Sequence, residues 1–460
     1  MRILLTTHAF LPRSVAGVEV YTLRLASALQ GLGHEVRVLT AVHDLASAPH
    51  SVRHSQLGSI EVIEIVNAHL EGTLEASYRV PAIDRAIEGV IEDFRPECVH
   101  AQHLLNLSTG LVPAAHRLGA CVVLTLHDYW LSCPRDGLRM QADGTLCTTV
   151  DHDVCAACMA GSAYLVPPLQ RSASGWARAL GLGQALHAVH RRVPRLTTAL
   201  TRLMRRAAPV RSRDLAQALD ARAEHLLRTV ADLDAVIAPT RFVRDRAAEW
   251  GVPPEKLHRM TLGAIVGPTR SRPAGPRRRL AYVGALSAHK GVHVLLEALR
   301  PLSRADWTLD LFGNPGVDPE YVARLRRMAN GDARIRFRGL VAADGPDPIW
   351  PSVDLLVVPS LWWENSPLVA LEALAAGVPV VASRTGGVPE IVPEAAGALV
   401  PPADVAALRT TLARVLDGDL LAGALGPLAL KTAVDGAREL VAFYADLRAA
   451  GGCTPAERAR

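Results

Sequence analysis

Lysine is nearly absent from this chain of 460 residues, in which only Lys256, Lys290 and Lys431 occur. Almost all of the positive charge is therefore arginine, as a GC-rich genome would produce, and the formal net charge is +5. The arginines are unevenly placed, because ten of them and no acidic residue fall within residues 171–213. Such a segment favours an anionic partner, either a membrane surface or an acidic acceptor. No recognition motif for nucleic acid accompanies it, so we expect no nucleic-acid partner.

Long apolar runs are also missing, since no uninterrupted stretch reaches the roughly 18 residues that a membrane span needs. The first apolar run, Met1 to Thr7, is too short for the core of a signal peptide. We therefore expect a cytoplasmic protein, which would lie peripherally at the inner face of the membrane if residues 171–213 bind anionic lipid. Hydrophobic residues still make up 49% of the chain, which is enough for a large core.

Short β-branched runs alternate with helical patterns along the chain, except in an arginine-rich stretch at 160–230. This alternation predicts an α/β protein with parallel, doubly wound sheets. The length suits two domains of about 200 residues each, and ligands of such sheets bind at the carboxyl ends of the strands. We therefore predict two Rossmann-like domains that face a central cleft. The predicted parts are an N-terminal domain at 1–235 with a helical insertion at 160–230, a C-terminal domain at 236–425, a helix at 426–450 that packs back on the N-terminal domain, and a tail at 451–460.

The stretch "ENSPLVALE" keeps a glutamate at each end of an apolar run. Ser366 is a good N-cap and Pro367 suits a first helical turn, so we predict a helix that has Gly377 as its stop. Glu364 then lies in the loop before the helix, whereas Glu372 lies within it.

The free backbone amides near the start of this helix, at Leu368 and Val369, would point into the cleft. A helix N-terminus of this kind binds phosphate through its N–H groups and its dipole. Glu372 is the only charged residue among leucine, valine and alanine, which favours a polar ligand as its neighbour. From the residues alone a structural role also stays open, in which Glu364 complements the helix dipole and Glu372 touches solvent.

The longer stretch "ENSPLVALEALAAGVPVVASRTGGVPEIV" resembles the signature of the family-4 retaining glycosyltransferases, which have the two-domain GT-B fold. The resemblance implies that Glu364 contacts the hydroxyls of the donor sugar and that Glu372 bonds the nucleotide ribose. Ser366 and the amides of Leu368 and Val369 would then bind the rest of the donor.

Other segments of the C-terminal half resemble the same family. In "YVGALSAHKGVHVLLEAL", Lys290 matches the lysine that contacts the donor diphosphate, and a cation there stabilises the departing charge. The family usually has Gly-Arg where this chain has Gly284-Ala285, so either Lys290 has more to do or another arginine replaces the missing one. The turn "RGLV", which contains Leu340, resembles the loop that contacts the base mainly through backbone atoms, and it does not indicate which base.

In the N-terminal half, "AGVEVYTLRLASALQGLGHEV" resembles the glycine loop and first helix of the family, although Ala16 stands where a second glycine is usual. Gly17 would let the backbone approach the donor phosphate and the acceptor. His127 directly follows the strand-like "CVVLTL" and matches a family histidine near the transferred sugar. His100 also ends a strand and could contact the acceptor.

The resemblance implies transfer of a sugar from a UDP- or GDP-sugar to an acceptor hydroxyl of a glycan, a lipid or a small molecule, with retention and without a metal. Glu364 and His127 would position the sugar, Lys290 would stabilise the phosphates, and the leaving phosphate oxygen would take the acceptor proton. Two alternatives stay open. One is a catalytically impaired scaffold or partner protein of this fold, which Ala16 and Ala285 would support. The other is a sugar-nucleotide epimerase or a phosphorylase of the same fold.

Seven cysteines are present, and four of them, which we call the cysteine cluster, lie close together in the sequence: Cys133, Cys147, Cys155 and Cys158. The last two form a C-x-x-C pair, which is common in zinc sites, and in a cytosolic chain such cysteines favour a metal over disulfides. A structural zinc is the favoured reading, while an iron–sulfur cluster and unliganded thiols stay open. We expect no cofactor for catalysis itself.

Overall fold

The computed structural model describes residues 1–44, 47–67, 73–159, 165, 212–264, 274–302, 306–341, 349–423, 425, 428 and 430–450. In these residues the strands form two sheets, one of eight strands and one of six. Every strand pair is parallel except the edge pair β3–β4 of the larger sheet. The predicted α/β class with two doubly wound sheets is confirmed.

The larger sheet has the strand order β3-β4-β2-β1-β5-β6-β7-β8. Its strands are β1 Arg2–Thr7, β2 Glu35–Val42, β3 Val52–Leu57, β4 Ile60–Val66, β5 Cys98–Ala101, β6 Cys121–Thr125, β7 Ala235–Ala238 and β8 Leu257–Arg259. The smaller sheet has the order β11-β10-β9-β12-β13-β14. Its strands are β9 Arg279–Val283, β10 Thr308–Phe312, β11 Ile335–Gly339, β12 Leu355–Val358, β13 Val380–Ser383 and β14 Gly397–Val400.

Helices cover these sheets and carry the crossovers between parallel strands. They are α1 Gly17–Gly31, α2 Pro81–Phe94, α3 Leu111–Arg117, α4 His152–Met159, α5 Ser212–Asp232, α6 Arg241–Trp250, α7 Val292–Leu299, α8 Pro319–Ala329, α9 Leu368–Ala375, α10 Val388–Ile391, α11 Val405–Asp417 and α12 Ala433–Ala449. Within the described part of the chain, no helix is both long and apolar enough to cross a bilayer.

The predicted domain boundary at 235/236 is wrong. Strand β7 pairs with β6 in parallel register, with Ala235 opposite Val123, and β8 follows at the edge of the same sheet. The N-terminal sheet therefore extends through Arg259, and the first strand of the other sheet begins at Arg279. The sequence misled here because β7 reads as one more buried apolar strand, and a strand's own residues do not say which sheet it joins. The antiparallel hairpin β3–β4 was not predicted either.

The last helix returns to the first sheet. Ala437, Leu440 and Tyr444 of α12 are buried in the same apolar cluster as Ile3 of β1 and Leu25 of α1. A capping box at Thr432 and Asp435 starts this helix. The C-terminal helix therefore ties the end of the chain to the N-terminal domain.

The arginine-rich stretch is described only in small part. Residues 171–211, which are nearly all of the segment expected to bind an anionic partner, lie outside the described residues. The described remainder forms α5, which packs on α4 through Leu215, Leu219 and Ala156. Binding to an anionic surface stays a prediction.

Candidate active site

The two domains meet where the carboxyl ends of their strands face each other. The loop that leads from β12 to α9 reaches across to the ends of β6 and β7. There Asn365 Nδ2 donates a hydrogen bond to the carbonyl of Leu126 at 3.4 Å, and Thr240 Oγ1 donates to the carbonyl of Asn365 at 3.3 Å. A doubly wound sheet binds ligands at this edge, so the candidate site lies between the sheets as predicted from the strand pattern.

Glu364 lies in that loop and is buried, with 5% of its surface exposed. Its Oε1 accepts hydrogen bonds from Lys290 Nζ at 2.7 Å, from Ser360 Oγ at 2.5 Å and from Trp362 Nε1 at 2.8 Å. Burial disfavours its charge, but the Lys290 ammonium and these hydrogen bonds outweigh burial and hold the pKa of Glu364 below its usual value. Glu364 is therefore an ionised carboxylate at neutral pH, fixed in orientation by three donors.

Two glycines, Gly386 and Gly387, pack closely against the backbone of this loop. A Cβ on Gly386, where φ is +57°, would lie 2.0 Å from the carbonyl oxygen of Glu364, and one on Gly387 would lie 2.1 Å from that of Asn365. Gly387 N–H also donates to the Glu364 carbonyl at 2.7 Å. These contacts give the "GG" of the sequence motif a physical reason, because any side chain there would push the glutamate loop out of place.

Helix α9 begins one residue later than predicted. Its N-cap is Pro367, and no side chain caps it, so the predicted cap at Ser366 is wrong. A residue before proline is pushed towards extended conformations, and Pro367 itself has ψ 106°, so helical geometry starts only at Leu368. The predicted stop is confirmed, since Gly377 has φ +73°. The first amide of the helix that has a backbone acceptor is that of Ala370. The amides of Leu368 and Val369, which precede it, have no such acceptor among the described residues.

Glu372 lies in the second turn of α9 and is buried, as its apolar neighbours suggested. In this structure its Oε1 contacts Nη1 of Arg24, a residue of α1 in the other domain. The contact between Glu372 and a ribose stays a prediction. Arg24 was not singled out from the sequence, because α1 gives no signal that one of its arginines faces another domain.

Lys290 ends a short 3₁₀ turn, Ala288–Lys290, that is pressed against the end of β12. A Cβ on the following Gly291, where φ is +72°, would lie 1.9 Å from the carbonyl of Pro359. The ammonium lies 4.6 Å from the centre of the Trp362 ring, a cation–π contact in addition to its bond with Glu364. The turn geometry therefore directs this lysine into the cleft.

The two other positions matched in the C-terminal domain lie at strand ends. Gly284 follows β9, and a Cβ there would lie 2.9 Å from Oη of Tyr282. That hydroxyl donates to the carbonyl of Ala285 at 2.7 Å, so a tyrosine closes this turn. Leu340 follows β11 and is 52% exposed, and its contact with the base stays a prediction.

His127 lies on the N-terminal side of the cleft, two residues after the end of β6. Its Nε2 hydrogen-bonds with Oε1 of Gln102 at 2.9 Å, and its ring centre lies 5.1 Å from that of Tyr21. Burial among protein atoms lowers the pKa of His127 to about 3, although the neighbouring Asp128 opposes the shift. The imidazole is therefore neutral at pH 7, and when Nε2–H donates to Gln102 its Nδ1 can accept a hydroxyl proton.

His100 does not face the cleft. Its side chain is fully buried, with one ring nitrogen 2.5 Å from the hydroxyl of Tyr444 and the other 2.7 Å from that of Thr125. Both nitrogens have partners, so the expectation of an acceptor contact is wrong. The residue anchors the returning helix α12 to the first sheet.

Gly17 begins α1, and a Cβ there would meet no atom of the described residues within 4 Å. Packing of the protein itself therefore does not require glycine at this position, which leaves close approach by a ligand as a reason for it. The preceding loop is held by Ser14, whose hydroxyl donates to Oε1 of Glu19 at 2.8 Å. Burial raises the pKa of Glu19, a fully enclosed acid that the sequence reasoning missed.

An aromatic contact joins the cysteine cluster to the glutamate loop. The Trp363 ring packs edge-on against Tyr129 and Phe242 of the N-terminal domain, with centroid distances of 5.8 and 5.4 Å. The Arg139 guanidinium lies 5.5 Å from the centre of the same ring. The backbone of Arg139 contacts two of the cysteines. Its carbonyl accepts a hydrogen bond from Cys147 N–H at 2.8 Å, and its N–H donates to Sγ of Cys133 at 3.3 Å. The segment that carries the cysteines therefore touches the residue next to Glu364.

The four thiols of the cysteine cluster are neighbours. Burial raises the pKa of Cys155 to about 11, and each of the other three thiols contributes to the shift. Among the residues that the structure describes, however, no three His, Cys, Asp or Glu side chains are arranged to hold a metal ion. A structural zinc at these cysteines stays a prediction. Cys98 and Cys121, which looked scattered in the sequence, are buried in the core of the first sheet.

Two family profiles match the chain. The profile described as "Glycosyltransferase Family 4" matches residues 15–156, and the one described as "Glycosyl transferases group 1" matches residues 277–418. The first match contains Gly17 and His127, and the second contains Lys290, Glu364 and Glu372. Both halves of the candidate site therefore fall in matched regions.

Curated relatives match over parts of their length. The D-inositol 3-phosphate glycosyltransferase of Corynebacterium efficiens is 36% identical over 148 residues, which are 30% of this chain and 35% of that protein. The MMP alpha-(1->4)-mannosyltransferase of Mycolicibacterium hassiacum is 31% identical over 196 residues, which are 42% of this chain and 47% of that protein. The matched segment thus spans less than half of the length of each relative.

Solved structures match over nearly the whole chain. Sucrose-phosphate synthase from Thermosynechococcus elongatus superposes with a TM-score of 0.64 at 18% identity and covers 98% of this chain and 99% of that one. The Anabaena protein HepE, in complex with UDP and glucose, gives a TM-score of 0.59 at 14% identity and covers 96% and 99%. At these identities the likeness concerns the fold, in which two doubly wound domains face a cleft.

Proposed function

We propose that this chain, which belongs to the family-4, group-1 glycosyltransferases of the GT-B fold, moves a sugar from a nucleotide-sugar donor to an acceptor hydroxyl with retention of configuration. The observation that carries the proposal is the Glu364–Lys290 pair, an ionised carboxylate and an ammonium joined at 2.7 Å between the carboxyl ends of two sheets. The amides of Leu368 and Val369, which have no backbone acceptor among the described residues, lie at the start of the helix that follows Glu364 in the chain. One site therefore offers an acceptor for sugar hydroxyls and donors for phosphate.

In the proposed complex, the donor diphosphate lies against Lys290 and the α9 amides. An ammonium has three N–H donors, so Lys290 can keep its bond to Glu364 and still reach a phosphate oxygen. Its charge stabilises the negative charge that develops as the nucleoside diphosphate leaves. None of these groups requires a metal, which agrees with the metal-independent reaction that we propose.

The sugar itself is held by Glu364 and His127. Three donors already bind Oε1 of Glu364, which lowers its nucleophilicity and suits it to orient hydroxyls rather than to attack C1. Neutral His127, which belongs to the N-terminal domain, accepts a hydrogen bond from a sugar hydroxyl. The acceptor oxygen then forms a bond to C1 on the face that the phosphate leaves, and the acceptor proton passes to the departing phosphate oxygen. Such positioning can lower a barrier by roughly 7–11 kcal/mol in favourable cases.

The donor we propose is a UDP- or GDP-sugar. The structural neighbour in complex with UDP and glucose supports a uridine nucleotide, and the mannosyltransferase relative supports a hexosyl group. For the acceptor we propose a hydroxyl of a glycan, a lipid or a small molecule.

A screen of nucleotide sugars by thermal shift, followed by calorimetry with the best one, tests the proposal. We expect at least one UDP- or GDP-sugar to raise the melting temperature, since a ligand at 100 times its Kd stabilises by about 2.7 kcal/mol. Retention is checked by NMR of the product's anomeric proton. A folded protein that binds no nucleotide sugar would instead support an impaired scaffold, and release of a free 2-epimeric sugar without acceptor would support an epimerase.

A further inference from the structure

A buried ion pair joins helices α1 and α9, which belong to different domains. Arg24 of α1 contacts Glu372 of α9, and each side chain is only 10% exposed. Burying two charges is unfavourable unless their geometry and remaining hydrogen bonds compensate for the lost water. Packing alone therefore does not explain why this ion pair is present.

The Arg24 side of the pair is incomplete. Its Nε is buried and, within the described residues, has no hydrogen-bond partner. Leaving a buried donor unpaired is unfavourable, and guanidinium groups normally use several of their five N–H donors. A ligand oxygen beside Glu372 would remove this deficit.

The position of the pair indicates which ligand that is. Leu368, at the start of α9, packs on the apolar cluster that contains Tyr21 and Leu25 of α1. Glu372 follows Leu368 by four residues, or about 6 Å along the helix axis. Arg24 therefore reaches the donor site about one helical turn from the amides at which we propose phosphate binding.

We propose that Arg24 is a donor-site residue supplied by the N-terminal domain. Its guanidinium holds Glu372 in place for the ribose, and its free Nε–H donates to an oxygen of the bound nucleotide. The residue thus supplies a cation to the donor site from the opposite domain. This inference rests on the proposed function, because it requires a nucleotide in the cleft.

Calorimetry with UDP and GDP on the full chain tests the inference, with wild type, Arg24→Ala, Arg24→Lys and Glu372→Ala compared. We expect wild type to bind one of the two probes and Arg24→Ala to bind it at least tenfold more weakly. Arg24→Lys should fall between them, because lysine keeps the charge but not the planar donor geometry. The double variant Arg24→Ala/Glu372→Ala should bind no more weakly than the worse single variant, since the two residues act as one unit.

Arg117→Ala is the matched control, because Arg117 forms an exposed pair with Glu88 at 2.5 Å, away from the cleft. Melting curves recorded without nucleotide report any loss of stability separately, so that weaker binding by folded Arg24→Ala is distinguished from a loss of fold. If wild type binds and Arg24→Ala binds as well or better, the assignment of Arg24 is wrong while the proposed function stands. If folded wild type binds neither probe, the proposed function fails and this inference falls with it.

Discussion

Replacing Glu364 by glutamine separates the role of this residue in the site from its role in the fold. Glutamine keeps an oxygen that can accept from Ser360 and Trp362, but it removes the charge that faces Lys290. Breaking a buried pair costs roughly 3–5 kcal/mol, and the Lys290 side chain, which is 22% exposed, can recover part of this from water. We therefore expect Glu364→Gln to destabilise the protein by about 2 kcal/mol, or roughly 4–8 °C in melting temperature for a domain of this size.

The effect on transfer should be much larger than the effect on stability. If Glu364 orients the donor sugar, its loss misplaces the reacting carbon, and such misplacement lowers rates by about 100-fold. The assay is the initial rate of nucleoside diphosphate release at saturating donor, measured beside a melting curve. Glu364→Ala is a poorer choice than Glu364→Gln, because alanine would leave three donors at this buried point without an acceptor.

Asp354→Asn is the matched control for this experiment. Asp354 pairs with Arg279 at 2.6 Å in the same sheet, where the strands β9 and β12 begin rather than where they end. Its loss should lower the melting temperature and leave the turnover of folded protein unchanged. The reasoning is refuted if Glu364→Gln keeps wild-type turnover while it loses as much stability as Asp354→Asn.

Three further predictions concern glycines, acid and thiols. Gly17→Ala should hardly change the melting temperature, because no described atom lies within 4 Å of the added Cβ, but it should weaken nucleotide binding. Equal binding by Gly17→Ala and wild type in calorimetry would contradict this. Gly386→Ala should instead destabilise the protein, because its Cβ would meet the Glu364 carbonyl. Burial lowers the pKa values of His100 and His127 to about 3, so these residues are neutral in the fold and charged in the unfolded chain below pH 6.5. Stability should therefore fall as the pH drops from 6.5 towards 3, by at most about 1.4 kcal/mol per pH unit and residue, and a urea midpoint that does not change between pH 7 and 5 would contradict this. Metal analysis of the purified protein should find about one zinc per chain, lost in Cys155→Ser and kept in Cys98→Ser; four freely reactive thiols and no metal in the wild-type protein would remove the zinc prediction.

The sequence predicted the parts of this protein that local chemistry decides. Apolar β-branched runs identified the strands, and the spacing in "ENSPLVALE" divided its two glutamates correctly between a loop and a helix. The end of that helix at Gly377 was also predicted, because a left-handed residue after a helix is a local requirement for glycine. Its start was misplaced by one residue, since two adjacent residues, Ser366 and Pro367, could each begin it.

Contacts between distant segments could not be predicted in this way. The Glu364 carboxylate accepts one of its three hydrogen bonds from Lys290, which lies 74 positions away in the sequence. Gly386 and Gly387 lie close to the backbone of the Glu364 loop, and the residue types alone do not predict this contact. His100 looked like His127, as a histidine at the end of a strand, but the returning helix α12 covers one and leaves the other at the cleft.

By itself, then, the amino-acid sequence determined the α/β class, most strands and helices, and the stretches in which the donor-site residues lie, because periodicity, capping and turn preferences act over a few residues. The tertiary structure alone decided that β7 belongs to the first sheet, that Lys290 and Glu364 form one unit, and that Arg24 meets Glu372 from the other domain. The physical reason is that a buried charge takes its properties from the groups packed around it, and here those groups come from both domains.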